Sequence, residues 1–234
     1  MSESDAQLNA GLTDRRRLIV EAVVITMVGV VPHLLNSFAS YFTNSTESST
    51  EIIASYLGHI GSSLGIIAVA LFIAWSNPDG IGAFGLKRFR FLDAVHALAI
   101  LAAAYMSLIV YSQMASPIYW AIHQGTTEDP YTFHDPTTVA GFTVAAIALA
   151  LNGAAEELVL WSVLFTRLAQ LSNNKPLSVA IVACTFASYH LYQGVFAMGG
   201  VVFMGLVFGG YFAWRGRIWP LIIAHALWDI LLLI

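Results

Sequence analysis

Hydrophobic positions along this chain come in long blocks with little internal alternation, and short polar stretches separate one block from the next. Blocks of 18 or more apolar residues are the pattern of membrane-crossing helices, because roughly 20 residues at 1.5 Å each are needed to cross a ~30 Å hydrocarbon core. Residues 1–14 are polar and read as a disordered tail, and Arg15, Arg16 and Arg17 then lead into an apolar run at about 18–42. That run is longer than the apolar region of a signal peptide and lacks a small-residue cleavage site, so it predicts a retained first helix. A Ser/Thr/Asn-rich loop at 43–51 precedes a second helix at about 52–75. Asn77-Pro78-Asp79-Gly80 breaks the chain, and Lys87, Arg88, Arg90 and Asp93 mark an exposed basic connection. A third helix at about 94–122 and an acidic loop at 123–136 follow.

The next apolar stretch, about 138–171, would be roughly 50 Å long as one helix. Asn152-Gly153 inside it is a plausible kink or break. After the turn Asn173-Asn174-Lys175-Pro176, further helices are expected at about 177–198, 200–214 and 220–234. The reading is all-α: a polytopic bundle of seven spans, or eight if the long stretch breaks in two, forming a single transmembrane domain over 15–234. No internal repeat is evident.

Composition agrees, since 58% of the residues are hydrophobic and only 10% charged, against about a quarter charged in soluble domains. The net charge of −4 matters less than its placement. All ten Lys and Arg fall in alternate connections, at 15–17, 87–90, 167–175 and 215–217, whereas the loops at 43–51 and 123–136 carry none. By the positive-inside rule the N-terminus is cytoplasmic and, with seven spans, the C-terminus is outside. The expected setting is a multi-pass protein of the cell membrane, with lipid and a peptide or membrane-protein substrate as partners and no nucleic acid.

Three blocks contain polar groups that bilayer depth makes costly. An ionised carboxylate there costs about 2.5 to 3.5 kcal/mol on insertion scales, so such groups need a reason to be present. Glu156 and Glu157 are adjacent in the first, Phe186 and His190 stand four apart in the second, and His225 and Asp229 stand four apart in the third. Positions four apart share a helix face, which also sets Glu157 beside Trp161. Counted from the basic turns, His225 lies ~12 Å beyond Arg217 and His190 ~21 Å beyond Pro176, with Glu156 near the middle of its stretch. The depths match, and a cavity open to the basic side would hydrate the set.

In these motifs the chain resembles the CAAX prenyl protease and bacteriocin-processing family of intramembrane endopeptidases, also called the Abi family. That family carries a Glu pair with Arg four residues on, then Phe-x-x-x-His, then His-x-x-x-Asn or Asp, each on its own helix. The resemblance covers about 138–234, and it departs at the Arg position, which holds Trp161. It implies an intramembrane protease in which Glu156 is the general base. With His190, Glu156 would activate water, while His225 and Asp229 would contact the oxyanion. Asp229 could donate to an oxyanion only if protonated, and otherwise would orient His225. Glu157, Trp161 and Phe186 would support the site. Without the Arg, Glu157 must be neutral or find a donor on another helix.

The resemblance also implies a metal-independent mechanism without cofactors. The same Glu, His and Asp residues are nonetheless acceptable ligands for zinc or another divalent ion, although His-Glu-x-x-His spacing is absent. Two other classes of function fit the motifs: a catalytically silent scaffold or immunity protein, favoured by Trp161, and a proton-coupled transporter. The remaining polar residues read as structural. His33, His59 and His96 would be hydrogen-bonded core residues, His123 and His134 loop residues, and Cys184 a small buried hydrophobe. Gly61 with Gly65, and Gly205 with Gly209, would be close-packing pairs.

Overall fold

The computed structural model describes residues 3–42, 49–123 and 138–233, and among them every regular element is helical. Helix α1 (Glu3–Gly29) and helix α2 (Val31–Phe42) divide the first block, with Pro32 in the first turn of α2. Proline has no N–H to give the preceding turn, so one long helix becomes two. Helix α1 starts well before the arginines, and the polar stretch read as a disordered tail is helical from Glu3. Helix α3 (Ser49–Trp75) is followed by a 3-10 turn (Ile81–Phe84) and then by helix α4 (Phe91–His123), which carries Pro117.

The long stretch does not break at Asn152-Gly153. Helix α5 (Val139–Glu157) passes through both residues, continues as a π-helical segment (Leu158–Phe165), and ends as helix α6 (Thr166–Ser172). An eighth span from a broken stretch is thereby removed. The irregularity falls after the Glu pair, and Gly153 serves another end: a Cβ on it would lie 3.2 Å from His225 Cγ, so it lets helix α9 (Trp219–Leu231) come close. The helix expected at 177–198 is also shorter than predicted. Helix α7 (Lys175–Ser188) stops at Tyr189, a 3-10 turn (Leu191–Gln193) follows, and helix α8 (Val195–Arg215) begins at Val195.

Among the described residues five segments are long and apolar enough to cross a membrane: Asp14–Tyr41, Ala54–Trp75, Phe91–Ile122, Val139–Ser172 and Val195–Arg215. With 14 and 13 residues, α7 and α9 reach about 20 Å each, short of a ~30 Å core. Apolar side chains cover the outside of the bundle as well as its interior, with Val23, Met27, Phe72, Leu98 and Ile118 all exposed. A helix apolar all round belongs in lipid or in a core, and the chain is an integral membrane protein.

The basic connections gather at one end of the bundle. Arg17 donates to Ser76 O at 2.8 Å and pairs with Glu21, and Arg167 donates to the same Glu21 carboxylate at 2.6 Å. Arg217 grips Asp93 with two bonds of 2.6 Å and donates to Arg88 O, and Trp219 donates to Lys87 O. The hydrogen bond to Asp93 holds the Arg217 guanidinium above its ordinary pKa. Above this end Phe84, Trp161, Phe165, Phe208, Phe212 and Ile218 form a closed apolar plug.

Of the residues read as structural, His96 is a hydrogen-bonded histidine, 2.9 Å from the Tyr211 hydroxyl. His33 lies against Tyr189 with ring centroids 5.6 Å apart, and His59 is exposed. The side chains of His123 and His134, and the acidic loop, lie outside the described residues. Cys184 is exposed on α7 rather than buried, because it falls on the outward face of that helix. Gly205 and Gly209 do pack closely, against Ala183 and Trp161, whereas Gly61 and Gly65 face nothing within 4 Å.

Candidate active site

Helix α5 lies between α3 and α9, and beside it α4 packs on both α8 and α9. Neighbours on one helix are turned about 100° apart, so the Glu pair presents two directions. Glu157 is wholly buried and meets α9, where His225 Nδ1 is 2.7 Å from its Oε1. Glu156 is turned toward a cavity, and Asn152, one turn earlier, donates to its Oε1 at 2.9 Å. The second oxygen of Glu156 has no hydrogen-bond partner.

Holding His225 by Nδ1 leaves Nε2 as its working edge. That atom stands 3.7 Å from Glu156 Oε2 and 3.7 Å from Asp229 Oδ2, too long for direct hydrogen bonds and suited to an atom lodged between them. Asp229 thus stands at the Nε2 edge of His225, while Glu157 holds the ring at Nδ1.

His190 arrives by a different route from the one its spacing implied. Beyond Ser188 the helix has ended, and His190 adopts φ −99°, ψ 14°, donating its backbone N–H to Ala187 O. Its Nδ1 is 2.9 Å from Phe186 O, and its ring meets Phe186 edge-on at 4.7 Å. A carbonyl oxygen only accepts, so Nδ1 carries the proton and neutral His190 has an accepting Nε2. Phe186 also lies 5.9 Å from the His225 ring, acting as an apolar spacer between the two imidazoles. Irregular backbone at such depth is tolerated where it is enclosed by protein or lines a cavity, and His190, Tyr192 and Gln193 do line one.

That cavity has a volume of about 480 Å³ and brings together Asn152, Glu156, His190, His225 and Asp229. Its upper walls are largely apolar, with Tyr111, Phe196, Met204 and Trp228 among them. The four residues expected to carry chemistry therefore share one space. Phe186 supports two of them, and Glu157 supports His225 from behind. Trp161 stands apart: it is fully buried, its indole N–H has no partner, and neither has Glu157 Oε2. The donor that Glu157 finds in place of an arginine is His225, from another helix.

Asn152, read in the sequence as a helix break, is the residue that sequence reasoning missed. Its signal was present, since Asn152 and Glu156 stand four apart. Tyr189, buried and close enough to interact with Glu156, carried no such signal. Among the described residues no three His, Cys, Asp or Glu side chains form a group that could hold a metal ion.

No curated protein and no solved structure matches the chain. Residues 138–231, which hold the Glu pair and both histidine motifs, match the family model of the type II CAAX prenyl endopeptidases, Rce1-like, and through this segment the chain is similar to a family of membrane proteases.

Proposed function

We propose that the protein is an intramembrane endopeptidase in which Glu156 activates a water for attack on a peptide carbonyl. The observation that carries this reading is the free oxygen of Glu156 lying 3.7 Å from an imidazole edge whose other side is fixed, within a cavity that also holds His190 and Asp229. Water held by Glu156 Oε2 and His190 Nε2 gives its proton to the carboxylate as its oxygen bonds to the carbonyl carbon. The resulting oxyanion receives a hydrogen bond from His225 protonated at Nε2, with Asp229 beside that proton. Glu156 then passes its proton to the leaving nitrogen as the C–N bond breaks. General base catalysis of this kind contributes about 10² to 10⁴ in rate, and aimed donors contribute a comparable factor.

A silent scaffold is the second reading, and Trp161 in place of the family arginine favours it. Purified protein in liposomes, given a library of peptides of mixed apolar sequence, separates the two. Peptide release that is abolished in Glu156→Gln supports the protease. Release absent from wild type, with the same null result in a comparison of new peptide termini in membranes with and without the protein, leaves the scaffold.

A further inference from the structure

The cavity opens away from the basic end. Along α9 and just past its end the lining runs from His225 through Trp228 and Asp229 to Leu232 and Leu233, away from Arg217; on α8 it runs from Met204 back to Phe196, away from Arg215. On α5 the lining is Leu149, Asn152 and Glu156, in the second half of that helix but short of the π segment and α6 that carry the chain on to Arg167, and on α4 it is Leu108, Tyr111 and Ser112, beyond the middle. Burial follows the same axis, since Glu156, Met204 and His225 are buried at the inner end whereas Leu232 is 54% exposed at the outer one. Toward the basic end the way is closed by the plug of Phe84, Trp161, Phe208, Phe212 and Ile218. A cavity open to the basic side, expected from depth alone, is therefore not what forms. Counting residues gives depth and cannot say toward which helix ends a cavity runs.

The helix ends toward which the cavity runs are those whose connections carry no Lys or Arg. Basic connections stay cytoplasmic. We infer that the cavity is entered from the non-cytoplasmic face, and that its substrate is a polypeptide segment already on that face: the outer part of a membrane protein or a translocated peptide. This rests on the protease reading for what happens to the segment, though not for where it enters. The lining charges bear on how the segment lies. The carboxylates Glu156 and Asp229 each stand 3.7 Å from the His225 Nε2 edge, and no Lys or Arg is among the lining residues, so a substrate's terminal carboxylate would meet two like charges around the one imidazole that could receive it. An internal stretch of chain, neutral along its backbone, enters without that repulsion.

The experiment is thiol accessibility in intact cells. Ser112→Cys and Gln193→Cys place reporters on the cavity wall, and Arg88→Cys places one at the basic end, each in a Cys184→Ser background. A membrane-impermeant maleimide is the probe. Both cavity cysteines should react in intact cells, and the cysteine at 88 only after permeabilisation. Reaction of the cavity cysteines solely from the side that labels position 88 overturns the inference. So does reversal of all three, or silence of both cavity cysteines in native membranes when each reacts after denaturation. Adding Glu156→Gln should leave the labelling pattern in place. Absence of peptide hydrolysis in the wild type would then count against the protease reading while access from the outer face stood.

Discussion

Glu157 on α5 and His225 on α9 lie 68 residues apart and meet at 2.7 Å, with both side chains buried. The contact fixes the imidazole so that its other nitrogen faces Glu156, and it thereby gives the two adjacent glutamates different work. In Glu157→Gln the amide oxygen can still accept from Nδ1, replacing a charge-assisted bond by a neutral one. The difference is about 1 kcal/mol, or roughly fivefold in rate. Glu156→Gln removes the base itself, and peptide release should fall by about 10² to 10⁴. Turnover of each variant, normalised to its amount in the membrane, checks the division; equal losses in two well-inserted proteins would overturn it.

Asp93 is 1% exposed and takes two bonds from Arg217 at the basic end, and neither residue lines the cavity. Asp93→Ala leaves the guanidinium with only the Arg88 carbonyl, and losing two charge-assisted bonds near the end of the bundle costs about 1.5 to 3 kcal/mol. Thermal unfolding in detergent should show a large drop for Asp93→Ala. A transition unchanged from wild type would mean that the pair contributes nothing.

At Gly209 an added Cβ would overlap the Trp161 ring. Overpacking of this kind costs about 1 to 3 kcal/mol, so Gly209→Ala should lower the unfolding temperature. Trp161→Phe removes the overlapping atoms, and the double variant should recover most of the loss. Simple additivity of the two single effects would show that the residues are not coupled.

The glutamate mechanism also predicts that chelation does nothing. Peptide release should survive prolonged treatment with EDTA or phenanthroline. Loss of release that zinc restores would move Glu156, His190 and His225 from proton chemistry to metal binding.

Much of this site was legible because expensive groups at matched depth are seldom incidental. Glu156, His190, His225 and Asp229 do share a cavity. Less of the route to it could be read. Hydropathy does not distinguish a helix that ends at Ser188 from one that continues, since Tyr189, Leu191 and Tyr192 are all apolar or aromatic. The Asn152-Gly153 pair was legible as an anomaly and misread as a break, because polarity and small size look the same whether they interrupt a helix or serve a neighbour. The Glu21–Arg167 pair, 146 residues apart, left no local trace. The same holds for the direction of the cavity, which depends on how residues from several helices come together.

Helix α5 and its continuation are tied at two places: Glu157 to His225 at the site, and Arg167 to Glu21 at the basic end, where its guanidinium also stacks 4.5 Å over Phe84. Between these ties lies the π segment Leu158–Phe165. A π turn takes more residues than an α turn, so the azimuth of everything beyond it is set by that segment. Both ties can be satisfied only at one phase. Removing a single residue from 158–165 would turn Arg167 by about a quarter turn relative to Glu157, and one of the two partners would have to be given up. The segment thus acts as the phase setting between the cavity and the anchor at the basic end, a length constraint that no individual side chain reveals.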